Sequence, residues 1–217
     1  MKYLLAASAV ALAFAAPVAA QESPAETASG LRIEGRIGLD INEVDTDFDD
    51  GVDAFESSDS QSDLGYGAEV GFDFPVGESF VVGAYAGVDF SDAEYCSEVF
   101  GNDVGCVEQG RNLTLGVRAG VPFGTNALGY VKGGYSNGRI NVSYEDFDDV
   151  FDDFDDGDEV DGFHLGAGVE FGLGQNLYLK GEYVYTNYNG GRYEDTDIEF
   201  NTDLTRHQIM AGVGFRF

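Results

Sequence analysis

Two histidines, two cysteines and two runs of crowded acid are the residues of this chain whose types could do chemistry. A hydrolytic site needs a nucleophile, a base and a group that orients the base, all on one accessible face. The imidazole bases available are His164 and His207. By strand alternation His164 falls on the polar face of its segment and His207 on the apolar face, near the end of its own, with no serine of that segment beside it. Gly-x-Ser-x-Gly, His-Glu-x-x-His and phosphate-loop patterns do not occur. Both histidines are therefore expected to be satisfied structural groups, and neither a catalytic residue nor a cofactor is expected.

The acid runs from Glu43 to Asp53 and again from Glu145 to Glu159. Crowded carboxylates attract hard cations, but a calcium loop of the EF-hand kind places oxygen ligands at its first, third and fifth positions before a glycine. Counting back from Gly157, the third position is Phe154; from Gly51 it is Phe48. The pattern fails both times, leaving Asp152, Asp153, Asp155, Asp156 and Asp158 as weak calcium candidates beside a solvated, self-repelling surface. The interleaved Phe147, Phe151 and Phe154 suit either a contact surface for a partner or packing on a rim. Cys96 and Cys106 flank a short polar stretch. In an oxidising compartment they are expected to form one disulfide; a thiolate metal site would lack a third cysteine or a nearby histidine. With Lys+Arg 11 against Asp+Glu 40 and a net charge of -29, nucleic acid is excluded as a partner.

The elements that must position these groups begin after an export signal. Residues 1–20 read as a signal peptide: Lys2 is the positive head, Tyr3 to Ala16 the apolar core, Val18 and Ala20 the small residues before a cut. Past it no run of about 18 apolar residues occurs, so no transmembrane helix is expected. Residues 21–30 read as a short flexible lead. From 31 to 217 the chain alternates with a period of two. Leu31, Ile33, Ile37 and Leu39 oppose Arg32, Glu34, Arg36 and Asp40, and the C-terminal Ile209, Ala211, Val213, Phe215 and Phe217 oppose Gln208, Gly212, Gly214 and Arg216. Six similar segments lie between, including one from 127 to 144 whose phase slips near Gly138, where a β-bulge is expected. Tight turns at 75–79, 122–126 and 172–176 alternate strictly with long connections at 43–62, 91–111, 145–161 and 188–203. The expectation is an all-β protein, an eight-stranded antiparallel up-and-down transmembrane β-barrel, since such a meander has one short-turn rim and one long-loop rim.

Apolar residues on one face and charge on the other suit a bilayer only if the charge is inside. The expected lumen network is Arg32, Glu34, Arg36, Glu69, Arg118, Lys132, Glu170, Lys180, Glu182, Arg206 and Arg216, paired because a lone buried charge is expensive. Inward glycines such as Gly71, Gly83, Gly168 and Gly214 leave room for long side chains. Eight strands enclose a space that side chains can fill, so a plugged lumen is expected; a thin water path is the alternative.

The signal peptide, the meander, the terminal Phe217 and the segment Tyr130-Val-Lys-Gly-Gly-Tyr135 resemble the small Gram-negative outer-membrane barrels of the OmpA/OmpX and opacity types. The resemblance covers 31–217. It implies an outer-membrane location with periplasmic termini and extracellular long loops, and a terminal strand (Val213, Phe215, Phe217) read by the barrel-assembly machinery. The chain is expected to be a monomer surrounded by lipid and lipopolysaccharide, and its acidic loops to meet an external partner or divalent cations. The chain departs from the family in having no Trp, so Tyr and Phe must form both interfacial girdles. No peptidoglycan-binding domain is expected after the barrel, so a cell-wall tether is not implied. The expected role is envelope integrity or surface contact; a narrow channel and a lipid A-modifying enzyme are the alternatives.

Overall fold

The computed structural model describes residues 23–49, 54–92, 94–98, 103–146, 154–188, 192–195 and 198–217. The signal-peptide segment 1–20 lies outside them. A short helix, α1 (Pro24–Thr27), precedes β1 (Gly30–Asp49), β2 (Ala54–Val76), β3 (Phe80–Ser91), β4 (Glu94–Glu98), β5 (Asp103–Phe123), β6 (Ala127–Asp146), β7 (Phe154–Gly172), β8 (Leu177–Tyr188), β9 (Arg192–Asp195) and β10 (Ile198–Arg216). Every pairing is antiparallel, and β1 pairs with β10 (Arg32 opposite Arg216, Leu39 opposite Ile209), which closes the sheet. Eight strands form the wall; β4 and β9 are short partners hung on β5 and β10. Over the height of the apolar band, closure satisfies the backbone of the staves without exposing an edge, as a hydrocarbon medium demands.

The burial pattern is inverted relative to a water-soluble domain. Leu115, Val117 and Leu165 are 63%, 66% and 60% exposed on the outer face, whereas Arg32, Asp40, Asp89 and Arg206 are 0% exposed inside. On β5 the outward apolar run from Leu113 to Phe123 climbs about 25 Å at a strand tilt of about 40°, the height of the apolar band of an outer-membrane barrel. Phe74, Phe80, Phe123, Phe171, Phe215 and Phe217 ring the short-turn end, and Tyr66, Phe90, Tyr135, Phe163 and Tyr183 ring the other. At that second rim the phenols are tied upward, Tyr135 to Asp161 and Tyr183 to Nδ1 of His207 at 2.6 Å. The tight turns close on Gly77 (φ 66°) and Gly124 (φ 63°), where a side chain would be strained.

Three sequence expectations change. The described parts of the long connections are largely strand: β1 stays paired with β2 from Leu39 opposite Leu64 out to Asp49 opposite Ala54, and β5, β6 and β7 extend likewise. In these extensions acidic residues are interspersed with apolar ones (Glu43, Val44, Asp45, Thr46, Asp47, Phe48), so the sequence reads as an acidic loop while the hydrogen-bond ladder continues. The irregularity expected at Gly138 lies in the partner strand, where Gly110 and Arg111 of β5 together face Arg139. Strand β6 holds one phase throughout, with Lys132, Ser136 and Gly138 all facing in. Ile140 suggested a slip because hydropathy no longer reports the face once the strand has left the band. The flexible lead is instead the helix α1, closed by a capping box in which Glu26 N–H donates to Ser23 Oγ at 3.3 Å and Ser23 N–H to Glu26 Oε2 at 2.7 Å. Its Ala25 and Ala28 pack on Val81 and Leu128 across the short-turn mouth of the barrel.

Candidate functional site

The site is the lumen, and all eight staves deliver charged groups into it by alternation. Seven cations (Arg32, Arg36, Arg118, Lys132, Lys180, Arg206, Arg216) meet seven anions (Glu34, Asp40, Glu69, Asp73, Asp89, Glu170, Glu182), and all but Arg216 are buried. Arg216, at the base, has a side chain 12% exposed. The network stands in three storeys. At the base, Arg118 of β5 grips Asp73 of β2 through Nε at 2.9 Å and Nη2 at 2.5 Å, while its Nη1 reaches Glu170 of β7 at 2.5 Å. Arg216 of β10 completes that storey on Glu170 at 2.7 Å. Midway, Arg36 of β1 holds Asp89 of β3 through Nε at 2.8 Å and Nη2 at 2.6 Å, and its Nη1 lies 3.0 Å from both Glu69 of β2 and Glu182 of β8. Lys132 of β6 joins Glu69 at 2.7 Å and Glu182 at 3.2 Å. Lys180 pairs with Glu34, and Arg32 ties this storey to the base through Glu69 at 2.7 Å and Asp73 at 3.4 Å. Higher up, Arg206 grips Asp40. Paired forks of this kind satisfy both partners where water is scarce.

Tyrosines fill the remaining space. Tyr130 donates to Glu182 and Tyr178 to Glu34, each at 2.7 Å. Each of three inward tyrosines lies against a glycine of the next strand: Tyr85 beside Gly116, Tyr130 beside Gly168, Tyr178 beside Gly214. A methyl at Gly116 or Gly168 would sit 2.5 Å from the phenol oxygen. The glycines are thus sockets for these rings, a cross-strand relation that sequence spacing within one segment cannot display. Above Lys132, His164 accepts or donates at both ring nitrogens, to the Tyr85 hydroxyl and to Ser136 Oγ at 2.8 Å. Ser136 is 0% and His164 1% exposed, so this pair is a strut with no path for a substrate. At the upper rim Asn42 and Gln109 exchange amide hydrogen bonds of 2.9 and 3.1 Å across the lumen, from β1 to β5.

The other sequence-nominated residues are scattered. His207 faces out, its Nε2 3.7 Å from Glu43. Val213, Phe215 and Phe217 form an outward apolar edge. Cys96 stands opposite Cys106 in the β4–β5 register. Asp152 and Asp153 lie outside the described residues. Asp155, Asp156 and Asp158 are not in a loop but in strand β7, in register with Ser143, Val142 and Ile140. A strand sends successive residues to opposite faces, whereas a calcium loop wraps its ligands around the ion. Among the described residues no group of three or more His, Cys, Asp or Glu is arranged to hold a metal.

A closed eight-stranded barrel with lipid-facing apolar residues and an ionic interior matches the model of the outer membrane protein beta-barrel domain over residues 6–217. The chain belongs to that family. It is similar, at 24% identity over 242 residues and across the whole of both chains, to the 31 kDa outer-membrane immunogenic proteins of Brucella melitensis biotype 1 and Brucella suis biovar 1. Among solved structures it is similar to Ail of Yersinia pestis (14% identity, 84% of this chain and 99% of that one, TM-score 0.43). It is also similar to OprG of Pseudomonas aeruginosa (12% identity, 87% and 97%, TM-score 0.41). This outer-membrane barrel therefore sits with its termini and tight turns toward the periplasm and its strand arms outside the cell.

Proposed function

We propose that this outer-membrane barrel is a closed surface-contact protein whose wall anchors acidic arms outside the cell and whose lumen passes no solute. The observation that carries this reading is the seven-against-seven charge network crossing the lumen at successive heights, with α1 over the periplasmic mouth and the Asn42–Gln109 bridge above. Since the described lumen charges cancel, the chain's net charge of -29 resides outside it. The arm of β1 continues eight residues beyond Ile41, about 25 Å of strand. Such arms suit a basic partner or surface. No catalytic role is assigned, and we take the protein to be monomeric.

Two measurements test the reading. In planar bilayers the folded protein should give no single-channel current; stable unitary steps would refute the seal. Nanodisc-held protein should bind immobilised polylysine, and binding should fall as salt shortens the Debye length below about 8 Å. A variant shortened by removal of residues 45–58 should bind less. Equal binding by the shortened variant would end the surface-contact assignment. The register also makes a Cys96–Cys106 disulfide our proposal for the β4–β5 hairpin: alkylation without reductant should leave both thiols unlabelled, and two labelled thiols would refute it.

A further inference from the structure

The tight-turn end of the barrel holds a cavity below the lumen network. Its volume is about 350 Å³, and it lies between α1 and the turns at 122–126 and 172–176, with Glu170, Tyr178 and Arg216 at its floor. Pro24, Ala28 and Leu128 give it an apolar side. Thr125, Asn126, Gln175 and Asn176 at its lip are exposed, so it opens on the periplasmic rim. The walls are clasped from two sides. Asn126 Nδ2 donates to Gly172 O at 2.7 Å while Gly172 N–H donates to Asn126 O at 2.8 Å, which joins the two turns. Asn176 Nδ2 donates to Arg216 O at 2.7 Å while Arg216 N–H donates to Asn176 O at 2.8 Å, which fixes the backbone of Arg216. The Arg216 guanidinium then lies over the Tyr178 ring, 4.9 Å from its centroid. Small-molecule sites are largely preformed in this way, and this one is near the lower end of their size range.

Arg216 is the group at that floor with unused donors. Its ion pairs among the described residues, with Glu170 at 2.7 Å and Asp73 at 3.5 Å, both run through Nη2. Neither carboxylate belongs to it alone: Arg118 holds both, and Asp73 also meets Arg32. Arg216 Nε is buried without a hydrogen-bond partner, and among the described residues Nη1 donates to none. Arg216 and Glu170 are the charged residues among those lining the cavity, and Glu170 already accepts from Arg118 and Arg216. A positioned guanidinium with donors left over, in a small cavity with an apolar side, selects a carboxylate on a short aliphatic stem.

We infer that this cavity binds one such carboxylate from the periplasm, carried by the free end of a peptide or by a small organic acid. The site lies at the rim opposite the arms, so it goes beyond surface contact and does not depend on that reading. Saturation-transfer NMR on the detergent-folded full chain tests it, with acetyl-trialanine, the C-terminal amide of the same peptide, and butyrate as probes. Acetyl-trialanine should bind saturably at millimolar concentration, its amide should not, and equimolar inorganic phosphate should not displace it. Butyrate binding as tightly as the peptide identifies a free acid as the source; tighter binding of the peptide identifies a chain end. Arg216→Gln leaves Glu170 and Asp73 on Arg118 and should weaken binding about tenfold or more. Thr27→Trp, at an exposed position of α1, fills the cavity from its lip and should abolish binding while the heat-modifiable band is kept. Equal binding of acid and amide, displacement by phosphate, wild-type affinity in either variant, or no saturable binding of either carboxylate would overturn the proposal.

Discussion

Arg36 is the most informative residue to remove. Its side chain is 3% exposed and meets three carboxylates: Asp89 through two hydrogen bonds of 2.8 and 2.6 Å, and Glu69 and Glu182 at 3.0 Å each. Arg36→Met keeps most of the volume and deletes the charge. Glu69 and Glu182 still have Lys132, but Asp89, 0% exposed, loses the one cation that pairs with it among the described residues. Breaking a buried pair in this way costs about 3–5 kcal/mol. Asp89→Asn alone leaves Arg36 on its other two carboxylates and removes charge-assisted hydrogen bonds, about 1.5–3 kcal/mol. Additive effects would make the double variant lose about 4.5–8 kcal/mol. In a desolvated network the second change removes the stranded anion, so Arg36→Met/Asp89→Asn should be no less stable than Arg36→Met by itself. Urea titration of vesicle-refolded protein, read by the heat-modifiable band, gives all four stabilities. Additivity within about 0.5 kcal/mol, or a loss below about 1 kcal/mol for Arg36→Met, would show that water screens these charges and that the lumen is not the dry plug described above.

Three further outcomes follow from the packing. Gly168→Val should destabilise the barrel by about 1–3 kcal/mol or block its folding, because the new Cβ would sit 2.5 Å from the Tyr130 phenol, while Gly181→Ala, with nothing within 4 Å, should change urea stability by less than about 0.5 kcal/mol. Removing residues 23–28 exposes the surface under Ala25 and Ala28 and should cost about 1–2 kcal/mol; bilayer recordings should still show no current, because Arg118, Glu170 and Arg216 stand behind the helix. Current from that variant would make α1 the seal. Phe217→Ala, which trims an outward residue 70% exposed, should lower the yield of assembled barrel in cells while leaving refolding into vesicles unchanged; a parallel loss in vesicles would assign Phe217 to stability.

What could be read from the sequence was what the bilayer imposes on each strand separately. Between Leu31 and Leu39, or Ile209 and Phe217, one face must be apolar over its whole height, so the period of two is written residue by residue and the inward charges are placed with it. Beyond Ile41 that constraint ends, and Glu43 to Asp49 looked like a loop although it is strand. The bulge is hidden for the same reason: Ile140 lies above the band, and the extra residue belongs to Gly110–Arg111 opposite. The capping box at Ser23 and Glu26 is the one local sign of α1, because a single turn of helix has no periodicity to report it. Nothing local could have paired Tyr130 with Gly168, or Asn42 with Gln109. Those contacts depend on register and on how the sheet closes, which single segments do not encode.

The partition of charge then explains how one chain can carry such an excess of acid and remain a stable barrel. Inside, seven cations and seven anions are fixed at contact distance away from water, so their mutual attraction is barely screened and is insensitive to salt. Outside, the arms repel one another through water, and salt relaxes that repulsion. Stability and surface charge are thereby assigned to separate residues: changes at Glu43 to Asp49 reach the solvent-facing arm, and changes at Arg36 or Arg118 reach the wall. Raising salt should accordingly alter what the arms bind far more than the urea midpoint of the barrel. Arg216 is the exception, since its side chain, 12% exposed at the base, is the most exposed member of the network.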